Sequence, residues 1–206
     1  MKRCVIVSGA EICDYGFVRG YLRNDDYNIF CDCGLRHKKK LGIEADLIVG
    51  DFDSYERPET AVETIALPCE KDDTDTVFAV KEGIRRGFDE FLIVGAIGQR
   101  FDHTLGNLYI LDLLDSAGKK AVIVDDYSEM ELVSDTPKYV KDSFSFFSLI
   151  NITGVANGIT IKNAKYPLCN AEIKTSYQYG ISNEVLKGRT AEITVKQGKL
   201  LLIRVR

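Results

Sequence analysis

The stretch Leu47-Ile48-Val49-Gly50-Asp51-Phe52-Asp53-Ser54 joins a short apolar run to an acidic turn. The run shows no alternation of apolar and polar residues, which is typical of a strand buried on both faces of a parallel sheet. The glycine allows the backbone to turn tightly at the end of the strand. The stretch therefore predicts a buried strand with carboxylates at its carboxyl end, where α/β sheets bind ligands.

The same organisation extends through the first 125 residues. Amphipathic segments separate the apolar runs: Thr74–Arg86, with Val77, Val80 and Ile84 on one face, and His103–Ala117, with Leu105, Leu108, Leu111 and Leu114 on one face. Each segment is followed by a glycine that can end a helix. Alternating strands and helices predict a mostly parallel α/β sheet over residues 1–127. Its other predicted strands are Cys4–Val7, Ile29–Cys31, Thr64–Leu67, Phe91–Val94 and Ala121–Val124.

Residues 128–206 have a different pattern, since helical periodicity disappears. Turn residues such as Gly154, Gly188 and the pair Asn157-Gly158 separate short β-rich runs. We read Gln197-Gly198 as a tight hairpin turn. This part is predicted to be an all-β sandwich or barrel. Its predicted strands are Met130–Val133, Phe144–Ile150, Ile159–Ile161, Ala171–Lys174, Thr190–Val195 and Leu200–Val205.

Composition excludes several classes of protein. The 206 residues include 27 basic and 31 acidic side chains, and a net charge of −4 argues against a broad nucleic-acid face. No apolar run approaches the ~18 residues of a membrane-spanning helix. The six cysteines form no C-x-x-C pair, which favours free thiols in a reducing compartment. We therefore expect a cytoplasmic protein that binds neither nucleic acid nor membrane.

Acidic residues follow the predicted strands in several places. Asp32, Asp51, Asp53 and Asp102 come after separate strands, and Asp75 opens a predicted helix. Because a parallel sheet gathers the carboxyl ends of its strands along one edge, we expect these carboxylates to converge. Converging like charges require neutralisation, and oxygen ligands suit a hard cation such as Mg²⁺. The D-x-D pair can present both carboxylates to one ion if the segment leaves extended geometry.

Two cations accompany the acids, Lys71 and Arg100, and such groups commonly hold phosphoryl oxygens. Plainer readings stay open at this stage. Arg100 can simply pair with Asp102, His103 can be a helix-start residue without chemistry, and Asp73 or Thr74 can cap a helix. No standard phosphate-loop motif occurs, which disfavours P-loop kinases and Rossmann dehydrogenases.

Several motifs together resemble the thiamin (thiamine) pyrophosphokinase family, and the resemblance runs over nearly the whole chain. Asp32-Cys33-Gly34 resembles the family's Asp-Gly-Gly element, and Gly180-Ile181-Ser182-Asn183-Glu184 and Lys165-Tyr166-Pro167-Leu168 resemble its second-domain elements. The motifs that match in order and spacing are Gly50-Asp51-Phe52-Asp53-Ser54, Lys71-Asp72-Asp73-Thr74-Asp75 and Gly98-Gln99-Arg100-Phe101-Asp102-His103-Thr104-Leu105-Gly106-Asn107.

The resemblance implies a fold and an activity. The expected fold is an N-terminal α/β domain, Rossmann-like and catalytic, with a C-terminal thiamine-binding β-sandwich, in a homodimer whose sites are shared between subunits. The expected reaction makes thiamine diphosphate and AMP from thiamine and ATP with Mg²⁺.

It also implies roles for individual residues. Asp51, Asp53 and Asp75 would bind Mg²⁺ and the triphosphate, and Ser182 and Asn183 would lie near thiamine. The nucleotide site would be completed by Asp32, Lys71, Arg100, Asp102 and His103. Tyr177 and Tyr179 are candidate aromatic partners of the cationic thiamine ring, unless at least one of them alternates into the core along a strand. The hydroxyl proton would go to Asp75 or Asp102.

Two departures from the family pattern concern loop geometry. Cys33 and Gln99 stand where glycine is common in the family, which leaves nucleotide placement open. Two other functions also remain at this stage: a non-catalytic sensor of nucleotide or thiamine, and a metal-dependent phosphohydrolase that needs only the first domain.

Overall fold

The computed structural model describes residues 3–53, 55–98 and 100–206. The chain divides into two compact units, Met1–Asp126 and Tyr127–Arg206. The first unit combines helices with parallel strands, and the second consists of antiparallel strands. The sequence predicted a mostly parallel α/β part followed by an all-β part, and at this level the prediction is confirmed.

The first unit contains six parallel strands in the order β4-β3-β2-β1-β5-β6. Each predicted strand is present, within about two residues of its predicted bounds. β3 is apolar and buried along its whole length, as the Leu47–Val49 run predicted, and β1, β2 and β5 each contain a buried apolar run. The strands are β1 (Arg3–Val7), β2 (Tyr27–Cys31), β3 (Leu47–Gly50), β4 (Glu63–Ala66), β5 (Glu90–Val94) and β6 (Lys120–Val124).

Four helices and a 3₁₀ turn connect these strands. The two longer helices were predicted, whereas α1, α2 and the turn were not. No helix in the described ranges is long and apolar enough to span a membrane. The helices are α1 (Tyr15–Arg19), α2 (Lys38–Leu41), α3 (Asp75–Arg85) and α4 (Phe101–Ser116), and the 3₁₀ turn is Asp32–His37.

The buried faces of the two longer helices differ from the predicted ones. In α4 the buried residues are Asn107, Ile110, Leu111 and Leu114, while the predicted core residue Leu105 is 43% exposed. Asn107 is buried because its Nδ2 donates to the carbonyl of Ala96, 2.8 Å away. In α3 the buried residues are Thr76, Ala79, Val80, Glu82 and Gly83, so the predicted face is rotated by about one residue.

The second unit contains seven antiparallel strands in two groups. β13 pairs with β7 and β9, while β10 pairs with β11 and β12, and β12 also pairs with β8. Buried side chains from both groups, including Phe147, Ile161 and Leu202, form one common core. The strands are β7 (Ser128–Val133), β8 (Lys138–Lys141), β9 (Phe146–Asn151), β10 (Val155–Lys162), β11 (Leu168–Lys174), β12 (Thr190–Thr194) and β13 (Leu200–Val205).

The predicted hairpin at Gln197-Gly198 is wrong. The strands on either side of it, β12 and β13, belong to different groups of paired strands. The turn instead contacts the start of β10, where Asn157 and Gln197 form an isolated antiparallel bridge. Gly198 has φ +81°, and a Cβ there would lie 2.5 Å from the Val155 carbonyl. The glycine therefore serves a close backbone approach rather than a hairpin.

Candidate functional site

A cavity of about 900 Å³ opens in the first unit at the carboxyl ends of its strands. Its wall includes the loop after β1, the 3₁₀ turn after β2 and the loop after β5, which meet around Gly9, Asp32 and Gly98. The predicted residues Asp32, Asp51, Asp53, Lys71, Asp75, Arg100 and His103 all line this cavity. Sheet topology thus brings together residues that lie far apart in sequence, as expected for ligand sites in open α/β sheets.

Three carboxylates form the centre of this site. Asp32, Asp51 and Asp75 each offer an oxygen, and these oxygens lie within 4.8 Å of one another. Asp32 and Asp51 directly follow the paired strands β2 and β3, and Asp75 is the first residue of α3, which Thr74 caps by accepting from the Val77 N–H. Gly50 makes the arrangement possible, because a Cβ there would lie 2.9 Å from the Asp32 Cβ.

Lys71 lies between two of the three carboxylates. Its Nζ forms an ion pair with Asp51 and lies 3.0 Å from Asp75 Oδ1. All three side chains are largely withdrawn from water, with exposed fractions of 20% or less. Burial acts to lower the pKa of Lys71, but the bonds to Asp51 and Asp75 outweigh it and the pKa is raised. Lys71 therefore carries its charge at neutral pH.

One cation does not neutralise three carboxylates. The Lys71 bond lowers the pKa of Asp51. Burial, with repulsion from the neighbouring aspartates, raises the pKa of Asp32 and that of Asp75. Asp32 Oδ1 is buried and has no hydrogen-bond partner among the described residues. A buried carboxylate oxygen without a partner is costly, so the group fits a bound cation.

The second aspartate of the D-x-D pair, Asp53, lies outside this group of three. Phe52 has φ 59°, so the segment leaves extended geometry, which was the condition for presenting both carboxylates to one ion. The turn brings the backbone N–H of Asp53 to Asp51 Oδ1 at 3.3 Å. Asp53 lines the cavity, whereas Asp32 holds the third place in the cluster. Ser54, which completes the motif, lies outside the described residues.

Arg100 and Asp102 pair with each other, which was the plainer reading of their spacing. Arg100 Nη2 lies 2.6 Å from Asp102 Oδ2, and their side chains are 71% and 65% exposed. The Arg100 guanidinium holds the pKa of Asp102 well below its usual range. Arg100 and His103 line the cavity, while the Asp102 side chain is not part of its wall. Gln99, beside them, lies outside the described residues.

Two polar residues of α4 that were named only as part of the motif shape the cavity wall. Thr104 Oγ1 lies 2.9 Å from the Gly98 N–H and 3.0 Å from the Gly98 carbonyl oxygen. Asn107 holds Ala96 in the same loop. The available sequence signals were a threonine and an asparagine three residues apart near the start of the helix. They fix the loop after β5 against the start of α4.

The departure at Cys33 does not require unusual backbone geometry, since Cys33 is not among the residues with positive φ. The position that cannot carry a side chain is Gly34, where a Cβ would lie 2.1 Å from the Val7 carbonyl. Cys33 Sγ lies 3.5 Å from Asp32 Oδ2 and donates to it. The cysteine is therefore compatible with the turn that presents Asp32.

In the second unit, Ser182 and Asn183 differ in what their side chains do. Ser182 is exposed, has φ 57° and donates its N–H to Ser148 Oγ. Asn183 is 4% exposed, and its amide bonds the backbone of Tyr166 and the N–H of Glu184. Asn183 therefore holds two predicted motif segments together.

Tyr177 and Tyr179 are both exposed, at 70% and 41%, so the alternative in which one of them packs in the core is wrong. They lie beyond the end of β11 rather than along a strand, and their ring centroids are 5.5 Å apart. Two neighbouring aromatic faces thus remain available on this unit. Either can contact a cationic ring.

Comparison with known families gives two matches, one in each unit. The family model of the thiamin pyrophosphokinase catalytic domain matches residues 18–123. The model of the thiamin pyrophosphokinase vitamin B1 binding domain matches residues 136–200.

Individual relatives agree over nearly full length. Thiamine pyrophosphokinase of Bacillus subtilis (strain 168) is 27% identical over 212 residues, covering 99% of each chain. A crystal structure from Bacillus subtilis has the same fold, with a TM-score of 0.87 at 24% identity, covering 100% of this chain and 99% of that one. A thiamin pyrophosphokinase family protein from Enterococcus faecalis gives a TM-score of 0.82 at 25% identity, with 99% of both chains covered.

Proposed function

Because the chain belongs to the thiamin pyrophosphokinase family, we propose that it transfers the diphosphoryl group of ATP to the hydroxyl of thiamine, giving thiamine diphosphate and AMP. The family predicted from the motifs, and with it the activity of an ATP-dependent diphosphotransferase, is confirmed by these matches. The observation that carries the proposal is the cavity lined by Asp32, Asp51, Asp75 and Lys71.

We propose that residues 1–127 form a Rossmann-like catalytic domain and residues 128–206 a β-sandwich that binds thiamine. The strand order β4-β3-β2-β1-β5-β6 supports the first part, since the chain runs outward in both directions from β1. Such a switch point is where open α/β sheets bind nucleotides, and the cavity lies beside β1 and β5. The common core of the second unit supports the sandwich.

A divalent cation, Mg²⁺ in our proposal, fits the carboxylates of the cavity. Asp32, Asp51 and Asp75 would hold it, with Asp53 near the same opening. The donor set is oxygen only and carries excess negative charge, which is the chemistry that Mg²⁺ prefers. When bound, the ion neutralises phosphate charge during transfer. The family resemblance implied Asp53 as the third ligand, and we propose Asp32 in its place because Asp53 lies outside the group of three.

The remaining residues of the site position the substrate and offset its charge. Lys71, fixed by Asp51 and Asp75, presents an ammonium group to the cavity, and Arg100 and His103 also line it. Cations held in place in this way stabilise the charge of a transferring phosphoryl group. Asp102 completes the set by orienting Arg100.

The hydroxyl proton of thiamine requires an acceptor, for which the sequence left Asp75 and Asp102. The Arg100 guanidinium lowers the pKa of Asp102, which makes that carboxylate a weak base. Burial raises the pKa of Asp75. Asp75 lines the cavity, whereas the Asp102 side chain does not, so we propose that a carboxylate oxygen of Asp75 accepts the proton.

For thiamine we propose Ser182 as a contact and Asn183 as the residue that holds its segment, with Tyr177 or Tyr179 facing the cationic ring. Ser182 is exposed at a left-handed backbone position, whereas the Asn183 amide is used by backbone groups. We further propose a homodimer in which each site combines the first unit of one subunit with the second unit of its partner. A cytoplasmic location, away from membranes and nucleic acid, accords with six free cysteines.

Thiamine-dependent release of AMP tests this function. The purified chain is incubated with ATP and Mg²⁺, with and without thiamine, and AMP is quantified by chromatography. We expect AMP and thiamine diphosphate in equal amounts, and only when thiamine is present. AMP or phosphate release without thiamine would instead support the phosphohydrolase, and nucleotide binding without turnover would support the sensor.

A further inference from the structure

The cavity contains a second pair of cations that the reading of the motifs did not use. Arg36, in the 3₁₀ turn, and Lys40, in α2, both line it. The other two cations of its wall are bound to carboxylates, Lys71 to Asp51 and Asp75, and Arg100 to Asp102. In the part of the chain that the structure describes, no carboxylate lies within ion-pair distance of Arg36 or Lys40. Their charges are therefore available to a ligand.

The Arg36 guanidinium is held in place by backbone oxygens. Nη2 donates to the Gly9 carbonyl at 2.5 Å, and Nε donates to the Cys33 carbonyl at 2.9 Å. These carbonyls belong to the segments after β1 and β2, which approach closely enough that a Cβ on Gly9 would lie 2.7 Å from the Cys33 Cβ. Neutral acceptors orient the group but leave its charge uncompensated.

Lys40 is held by an aromatic contact. Its Nζ lies 5.0 Å from the ring centroid of Tyr15, which also lines the cavity. The buried His37 holds Tyr15 in place, because its Nδ1 lies 2.8 Å from the Tyr15 hydroxyl. The other ring nitrogen of His37, Nε2, lies 2.9 Å from the Ala10 carbonyl oxygen. Since a carbonyl only accepts, Nε2 carries the proton and Nδ1 accepts from Tyr15. The tyrosine thus provides a fixed surface beneath the ammonium group.

We propose that Arg36 and Lys40 bind the α-phosphoryl group of ATP and, after transfer, the phosphate of AMP. The inference rests on the proposed function and extends it. In that reaction the thiamine oxygen forms a bond to the β-phosphorus, and the bond from the β-phosphorus to the oxygen shared with the α-phosphorus breaks. The electron pair stays on that oxygen, so negative charge grows on the AMP phosphate while the hydroxyl proton goes to a carboxylate.

Two separate cationic groups match this division of charge. The diphosphoryl group keeps its charge when it moves to thiamine. In our proposal it is bound by Lys71 and by the cation that the three carboxylates would hold. The leaving AMP phosphate needs cations that do not also bind the diphosphoryl group. Arg36 and Lys40 meet this need because backbone and aromatic contacts, rather than carboxylates, hold them in place. Fixed cations at developing charge lower the barrier of phosphoryl transfer.

Direct binding of AMP and adenosine tests the proposal. The full chain is titrated by calorimetry with each ligand in the absence of divalent cations, so that the carboxylates hold no phosphate through a metal. We expect Arg36→Gln and Lys40→Gln each to weaken AMP binding by about tenfold, as expected for a lost charge-assisted bond, with adenosine binding unchanged. Lys39→Gln is the matched control, because Lys39 is exposed in the same helix but does not line the cavity.

The outcomes separate the inference from the function on which it rests. Unchanged AMP affinity in both variants, in an enzyme that still releases AMP with thiamine, overturns the inference alone. An equal loss for AMP and adenosine also overturns it, since the residues would then hold the nucleoside or the loop. Failure of the wild-type chain to release AMP with thiamine overturns the proposed function, and the inference with it.

Discussion

Two groups of charged side chains lie largely out of water, one in each unit, and their charges are balanced differently. In the first unit three carboxylates lie together with one amine, Lys71, which pairs with two of them. In the second unit Glu129 and Glu131 meet Lys138 and Arg204, so that two carboxylates match two cations. The first group includes a carboxylate oxygen without a described partner, whereas every member of the second is paired.

The pKa values follow this difference. Burial raises the pKa of Asp32 in the first group. Burial also acts to raise the pKa of Glu131, but Arg204 and Lys138 outweigh it and lower the pKa. An unbalanced buried group costs stability unless a ligand completes it, while a balanced group holds the fold together. Charge imbalance, rather than burial of charge, therefore distinguishes the proposed catalytic site from the charged group of the second unit.

The largest expected effect is on activity at the unbalanced group. Asp51→Asn should lower thiamine-dependent AMP release by at least about 10²-fold, because it removes both a cation ligand and a partner of Lys71. Asp53→Asn should cost less, since Asp53 lies outside the group of three. The rates are measured against Mg²⁺ concentration, with circular dichroism to verify folding. Near-normal rates in Asp51→Asn at limiting Mg²⁺ would remove Asp51 from the proposed site.

Arg100→Ala should lower turnover by about 10²-fold, the usual cost of removing a group that stabilises transition-state charge. Its pairing with exposed Asp102 makes a structural role small, because exposed ion pairs contribute little to stability. Steady-state kinetics with varied thiamine separates kcat from KM. A large rise in the KM for thiamine at unchanged kcat would instead place Arg100 in the thiamine pocket.

Subunit mixing tests whether one site draws on both units across a dimer. An inactive Asp51→Asn chain is mixed with an inactive chain carrying Ser182→Ala and Asn183→Ala. If sites are shared, each mixed dimer has one site with both halves intact, and an equal mixture recovers about a quarter of wild-type activity. Light scattering and tagged pull-down establish that mixed dimers form. No recovery in a mixture that contains them would show that each site is built within one chain.

The two charged groups should respond oppositely when a single carboxylate is neutralised. In the absence of metal at pH 7, Asp32→Asn should raise the Tm and Glu131→Gln should lower it, each by about 2–4 °C, the shift that ~1 kcal/mol gives in a chain of this size. Asp32→Asn should abolish most activity, and Glu131→Gln should retain it. Equal losses of Tm in both variants would contradict the comparison.

The pH dependence follows from the directions of the two pKa shifts. The Glu131 carboxylate stabilises the fold above its unfolded pKa, and this contribution is lost as pH falls through its lowered folded pKa. The Asp32 carboxylate destabilises the fold above its raised folded pKa, and this cost disappears as pH falls from that value to the unfolded pKa. On acidification, the Tm difference of Asp32→Asn should therefore close between its raised folded pKa and the unfolded value, and that of Glu131→Gln between the unfolded value and its lowered folded pKa.

The sequence predicted best those elements that local patterns specify. Continuous apolar runs such as Leu47–Val49 gave the buried strands, and glycines gave the helix ends. β8 (Lys138–Lys141) was missed because its only buried residue, Val140, lies between charged and exposed neighbours. The hairpin at Gln197-Gly198 was wrong because a turn sequence fixes the bend but not the strand with which each flank pairs.

The same limit applies to the site. Asp51 and Asp75 were found because motifs surround them. Whether Asp32 or Asp53 is the third member of the cluster depends on the pairing of β2 with β3, which local sequence does not specify. Arg36 and Lys40 belong to none of the recognised motifs. They line the cavity because of a 3₁₀ turn and a short helix that the sequence did not predict. Sequence patterns therefore identified the chemistry, while long-range pairing decided which side chains meet.

Binding of Mg²⁺ to metal-free protein most directly tests the claim that the unbalanced group is a cation site used for diphosphoryl transfer. Isothermal titration of the wild type, Asp32→Asn and Glu131→Gln with MgCl₂ at constant ionic strength measures it without turnover. We predict one Mg²⁺ per chain in the wild type and in Glu131→Gln, and affinity lowered by about 10–100-fold in Asp32→Asn. Equal Mg²⁺ affinity in all three proteins would contradict the claim.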